Sequence, residues 1–189
     1  VQKSNSAEKP EHEFRTVRPK QKEWQDERSK YEMYQSVSPN VNFVEQEKKI
    51  EALAKKLYKR NNVFFIGRGN DAAVAYEGSL KLKEISYINS FAIAAGELKH
   101  GTIALIEQDT LVIALATQDR LFDKMLSNIQ EVKARGAFVV GIAKENNIDI
   151  ELQSEAVIYI PECMDDITPL LSIVPLQLLA YYIAKLPRL

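Results

Sequence analysis

Four short, apolar, β-rich runs constrain the fold of this chain more than any other feature: Val63-Phe64-Phe65-Ile66, Leu111–Ala116, Phe138–Ala143 and Val157–Ile160. A strand that is apolar at every position has no solvent face. It therefore belongs in a sheet covered on both sides, as parallel sheets are. The segments between the runs read as amphipathic helices. Val44, Ile50, Leu53, Ala54 and Leu57 recur at helical spacing among Glu and Lys and stop before Asn61-Asn62. A second helix runs from about Asp71, read as its cap, to about Asn89. A third, Arg120 to Arg135, is closed by Gly136, and a last covers about Ile167–Leu186. Short buried strands alternating with helices imply right-handed crossovers and parallel pairing. The expected fold is α/β, a three-layer αβα sandwich with a parallel Rossmann-like sheet.

The first 42 residues do not share this pattern. They hold three of the seven prolines, nearly balanced charges and a sparse aromatic stripe of Trp24 and Tyr31 on a short helical stretch. Residues 1–42 read as a polar arm or linker, either extended and without fixed structure or packed on another subunit; residues 43–189 read as the folded domain. A total of 189 residues suits one domain with such an appendage. The net charge of −1 gives no field directed at nucleic acid or an anionic membrane. One cysteine, Cys163, excludes an intramolecular disulfide and points to a reducing compartment. The start of the chain is polar, and the apolar stretch near 170–184 is broken by Ser172, Pro175 and Gln177. The expectation is a cytoplasmic protein with a buried final helix and no membrane span.

Few segments carry residues suited to chemistry. Gly67-Arg68-Gly69 follows a strand and opens a helix, where an open sheet presents backbone N–H groups to ligands. It lacks a third glycine, and no acidic residue ends a second strand at the expected distance, so a dinucleotide is not expected. Glu77, Lys81 and Glu84 fall at steps of four and three on one helix face. Leu80 and the residues from Leu82 to Ile88 are read as that helix's buried surface. Such a trio suits proton transfer beside a sugar, or is simply a solvated face of ion pairs; spacing alone favours the latter. Further on, Phe91 to Thr102 begins strand-like and turns at Gly96 and Gly101, with His100 between them. Histidine exchanges protons near neutral pH. No hydrolytic triad and no metal-ligand set is visible, and Cys163 reads as structural.

Glu77-Gly-Ser-Leu-Lys-Leu-Lys-Glu-Ile-Ser-Tyr-Ile88 and Ala94-Ala-Gly-Glu-Leu-Lys-His-Gly101 carry a family resemblance. So do Ile103–Glu107, Ser127–Gly136 and Val174–Tyr181. Over about residues 43–184 the chain resembles the second SIS (sugar isomerase) domain of glutamine:fructose-6-phosphate amidotransferase, also called glucosamine-6-phosphate synthase. The resemblance implies an aminotransferase and isomerase of amino-sugar biosynthesis acting on a hexose phosphate, fructose 6-phosphate or glucosamine 6-phosphate, with no cofactor. It implies that Glu84 is the carboxylate moving a proton between C1 and C2 of the sugar. Lys81 is the lysine beside it, and His100 is the ring-opening histidine lent by a neighbouring subunit. A homo-oligomer, a homodimer at the least, follows from that last implication, joined through the helix holding Glu84 and the segment around His100.

Three departures qualify the resemblance. The glutaminase cysteine, the Ser/Thr-rich phosphate loop of a first SIS domain and the tail lysine that forms a Schiff base have no counterparts in these residues. The expectation is therefore half of an isomerase site, incomplete by itself. The alternative is a non-catalytic SIS module that binds a phosphosugar or serves assembly.

Overall fold

The computed structural model describes residues 43–145 and 147–187, so the reading of residues 1–42 lies outside the described residues. Helix α1 (Phe43–Leu57) leads into β1 (Asn62–Gly67), α2 (Asn70–Ser86) and β2 (Asn89–Ala94). After a 3₁₀ stretch come β3 (Leu111–Ala116), α3 (Phe122–Lys133), β4 (Phe138–Lys144), β5 (Ala156–Ile160) and α4 (Thr168–Ala184). The five strands form one sheet in the order β2-β1-β3-β4-β5, and every neighbouring pair is parallel. This is the αβα sandwich expected, with one strand more than the four apolar runs announced.

The pleat explains why those runs are apolar throughout. Val63 and Phe65 of β1, with Leu111, Ile113 and Leu115 of β3, point to the face covered by α1, α2 and α4, where Ile50, Leu82 and Leu176 meet them. Phe64, Ile66, Val112 and Ala114 point to the other face, against Met125, Ile129 and Val132 of α3 and against Leu98. Both faces are buried, so alternation vanishes from the sequence. No described helix is long and apolar enough to cross a membrane.

Several local readings are corrected. Asp71 does not cap α2: the N-cap is Gly69, with no side-chain cap bond, and the Asp71 carboxylate instead accepts from Thr117 N at 2.8 Å and Thr117 Oγ1 at 2.5 Å at the end of β3. Helix α2 stops at Ser86 rather than near Asn89, because Tyr87 takes a left-handed φ of 54° and donates its backbone N–H to Lys83 O. The residues beyond become β2. Leu80 and Ile85 are exposed rather than buried, leaving Leu82 and Ile88 to hold that region to the core. Gly96 lies within a 3₁₀ helix, Ala95–His100, that ends at Gly101.

Candidate functional site

The segment carrying Glu77, Lys81 and Glu84 is fixed from behind. Gly78 brings α2 close to the sheet: a Cβ there would stand 2.6 Å from Leu176 Cδ1 and 3.1 Å from Phe65 Cε1. Buried Ser79 and Ser90 share a hydrogen bond at 2.9 Å, joining α2 to β2, and Ser90 Oγ also donates to Ser79 O at 2.8 Å. Ser86 Oγ donates to Ala180 O at 2.8 Å, tying the C-terminal turn of α2 to α4. Leu82 is fully buried between these bonds.

On the outer face, Lys81 Nζ donates to Glu84 Oε2 at 2.7 Å and stands 3.5 Å from Glu77 Oε1. The trio read from spacing is therefore assembled, with the ammonium between two carboxylates. The hydrogen bond that Lys81 donates to Glu84 raises the Lys81 pKa; burial opposes it, and the charges of both carboxylates add to the rise. A lysine held in this way stays a cation and gives the Glu84 side chain a fixed partner.

His100 ends the 3₁₀ helix and is three-quarters exposed, with Nε2 3.8 Å from Glu97 Oε2. Within the described chain no hydrogen bond or ion pair joins it to Lys81 or Glu84. The structure thus brings Lys81 and Glu84 together and leaves His100 on a separate projecting turn.

Two groups at the C-terminal edge of the sheet were not foreseen. At the switch between β1 and β3, where open sheets of this kind bind ligands, Gly67 is required because a Cβ would lie 2.5 Å from the Asp71 backbone. Asp71 is buried there, and burial raises its pKa despite the opposing bonds from Thr117. Beyond β4, the Lys144 side chain is wholly buried, with Nζ 2.8 Å from Asp119 Oδ2, 2.9 Å from Asp165 Oδ1 and 3.6 Å from Glu162 Oε1. Burial works against its charge, but the bonds to Asp119 and Asp165 prevail and hold its pKa above the ordinary lysine value. This clasp ties the loops after β3 and β5 together. Two surface cavities of about 460 and 300 Å³ lie at the β5 edge, lined by Lys56, Tyr159 and Leu178 among others, and neither touches Lys81, Glu84 or His100.

A parallel sheet covered by helices on both faces makes this an open-sheet α/β domain, and the chain belongs to the SIS domain family, which residues 56–186 match. Over 135 residues it is 63% identical to glutamine–fructose-6-phosphate aminotransferase [isomerizing] of Caldanaerobacter subterraneus subsp. tengcongensis, covering 71% of this chain and 22% of that protein. It is 55% identical over 141 residues to the enzyme of the same name from Clostridium tetani, covering 75% of this chain and 23% of that one. The C-terminal domain of glucosamine-fructose-6-phosphate aminotransferase from Francisella tularensis superposes with a TM-score of 0.70 at 35% identity, over 75% of this chain and 40% of that chain. The resemblance read from the motifs is borne out. The chain spans under a quarter of the length of the curated relatives it matches.

Proposed function

We propose that this chain supplies the acid–base part of a glucosamine-6-phosphate synthase isomerase site. Glu84 takes the proton from one of the two adjacent carbons of the open-chain fructose 6-phosphate imine and returns it to the other. One carboxylate serves both carbons because C1 and C2 lie within reach of its two oxygens. Lys81 orients the carboxylate through its hydrogen bond. His100, projecting from its own domain, reaches the sugar of a neighbouring copy and exchanges protons at the ring oxygen and anomeric hydroxyl. The single observation that carries this reading is the Lys81–Glu84 hydrogen bond of 2.7 Å, on the helix face that α2 turns outward. Its high-identity relatives bear the aminotransferase name, which supports a hexose phosphate as substrate.

The test is a coupled assay of fructose 6-phosphate conversion for a chain of these residues, for a first SIS half with its C-terminal tail segment, and for the two mixed. The reading expects turnover on mixing. A mixture that binds substrate yet is as inert as its parts would overturn it.

A further inference from the structure

The 3₁₀ helix that ends in His100 is held by apolar contacts on one side only. Ala95 and Leu98 are fully buried, three residues apart and so eclipsed on the same side of a 3₁₀ turn, while Gly96, Glu97, Lys99 and His100 face outward. Beyond it Gly101 has a φ of 135°, a conformation glycine adopts without steric cost, with nothing within 4 Å of where a Cβ would stand. On the outward side a chain of polar contacts supports the turn. The Arg68 guanidinium, at the end of β1, packs on Gly96, with Nη1 and Nη2 each 3.5 Å from the position of a Cβ there. Arg68 Nε donates to Asn128 Oδ1 at 2.8 Å, and buried Asn128 Nδ2 donates to Glu131 Oε2 at 3.3 Å. Glu131 Oε1 then receives Lys99 Nζ at 2.8 Å, one residue before His100.

We propose that Arg68, Asn128 and Glu131 are positioning residues that fix the His100 turn to the end of β1 and to α3. An exposed ion pair such as Lys99–Glu131 holds little by itself. This one differs because Glu131 is mostly covered and is pinned by Asn128, which Arg68 pins in turn. The planar guanidinium does two things at once: its Nη atoms lie beside Gly96 while its Nε–H orients Asn128, and a lysine ammonium has no such geometry. A turn that must reach a sugar in another subunit needs a defined direction, and misplacement by about 1 Å costs on the order of 10²-fold in rate. The proposal rests on the reading of His100 as a reacting group.

Backbone ¹⁵N order parameters of Lys99, His100 and Gly101, measured on the full chain, test it. The wild type is expected near the rigid value of about 0.85, falling below about 0.6 in Glu131→Gln and Arg68→Met while β3 amides keep their wild-type values. Lys99→Arg, which still reaches Glu131, is expected to retain order. Unchanged order at His100 in Glu131→Gln, or an equal loss in β3, overturns the proposal. Should Arg68→Met fail to fold, Glu131→Gln, a substitution of one outer carboxylate, decides alone. Order rather than turnover is read, so this outcome and that of the conversion assay are independent.

Discussion

Lys81 Nζ lies 2.7 Å from Glu84 Oε2 on the outer face of α2, while Leu82 between them is buried to 1% exposure. The relationship shows how a helix fixed from behind presents a charged pair on its outer face. Everything that fixes α2 is on its inner face: the close approach at Gly78, the Ser79–Ser90 bond and the Ser86–Ala180 bond. The outer face is free to carry charge without disturbing the core. Reacting groups set on a helix in this way are placed more accurately than on a loop.

Gly78 is the first point of test. A mid-helix glycine ordinarily weakens a helix by roughly 0.5–1 kcal/mol relative to alanine. Here Gly78→Ala is expected to destabilise instead, by about 1 kcal/mol net, because the new methyl meets Leu176 at 2.6 Å and Phe65 at 3.1 Å and overpacking costs about 1–3 kcal/mol. Urea unfolding of the two chains gives the sign directly.

Lys144→Met is expected to cost about 1–3 kcal/mol at neutral pH, since it leaves Asp119, Glu162 and Asp165 facing one another without their cation. The pH dependence follows from Asp165. Burial is the largest influence and acts to raise its carboxyl pKa, but the hydrogen bonds from Lys144 and from the Asp119 backbone, together with the ammonium charge, outweigh it and hold the pKa below the ordinary 3.8. A depressed carboxyl stabilises the fold above its unfolded pKa, and that stability is lost as the pH falls through the folded value. The ammonium, raised above 10.5, keeps its contribution until the pH rises through that higher folded value. The wild-type advantage should therefore be flat from about pH 5 to 10 and shrink only in acid below 3.8. Denaturant midpoints across that range check it; an advantage that grows in acid contradicts the clasp.

These two residues also mark what the sequence conceals. The doubly buried strands were legible because a run such as Leu111–Ala116 has no polar position at all. Strand β2 was not placed in the sheet because it lies at an edge, begins Asn89-Ser90 and exposes Phe91. Lys81 and Glu84 were legible as partners because three residues along a helix is contact distance. Lys144 was not, since its partners come from loops 21 and 25 residues away that only the parallel sheet brings together. Asp71 looked like a cap for the same reason: its true partner, Thr117, is 46 residues distant. Leu80 and Ile85 were misread as core because an exposed apolar residue on a helix has no local signature.

That exposed surface bears on assembly. Tyr76, Leu80, Tyr87 and Phe91 are 56%, 41%, 85% and 46% exposed on α2, its end and β2. The proposed use of His100 by a neighbour requires self-association near this region, and a closed dimer would place the same patch on both copies. Sedimentation at micromolar concentration is expected to show a dimer. Leu80→Asp should weaken it at least about tenfold, ~1.4 kcal/mol, without lowering the stability of the fold. A monomer at high micromolar concentration would count against shared sites.

Glu84→Gln is the test of the chemistry. The amide keeps the size of the side chain and an oxygen to accept from Lys81, so the local geometry survives. Glu84 is about half exposed, and loss of its ion pair with Lys81 should change stability by no more than about 0.5 kcal/mol. What the amide cannot do is accept a proton from carbon. Acid–base catalysis by one positioned group is worth on the order of 10²–10⁴-fold, and that is the expected fall in kcat for fructose 6-phosphate conversion in the mixture with a first SIS half. KM should move little, because the carboxylate acts on the reacting carbons rather than anchoring the phosphate. Lys81→Met should produce a smaller fall in kcat, because the carboxylate remains but loses the hydrogen bond that orients it. His100→Ala is expected to impair cyclic fructose 6-phosphate far more than substrate already opened, since its proposed role ends once the ring is open. A Glu84→Gln mixture as active as wild type would mean that the proton travels by another group, whatever the standing of the fold.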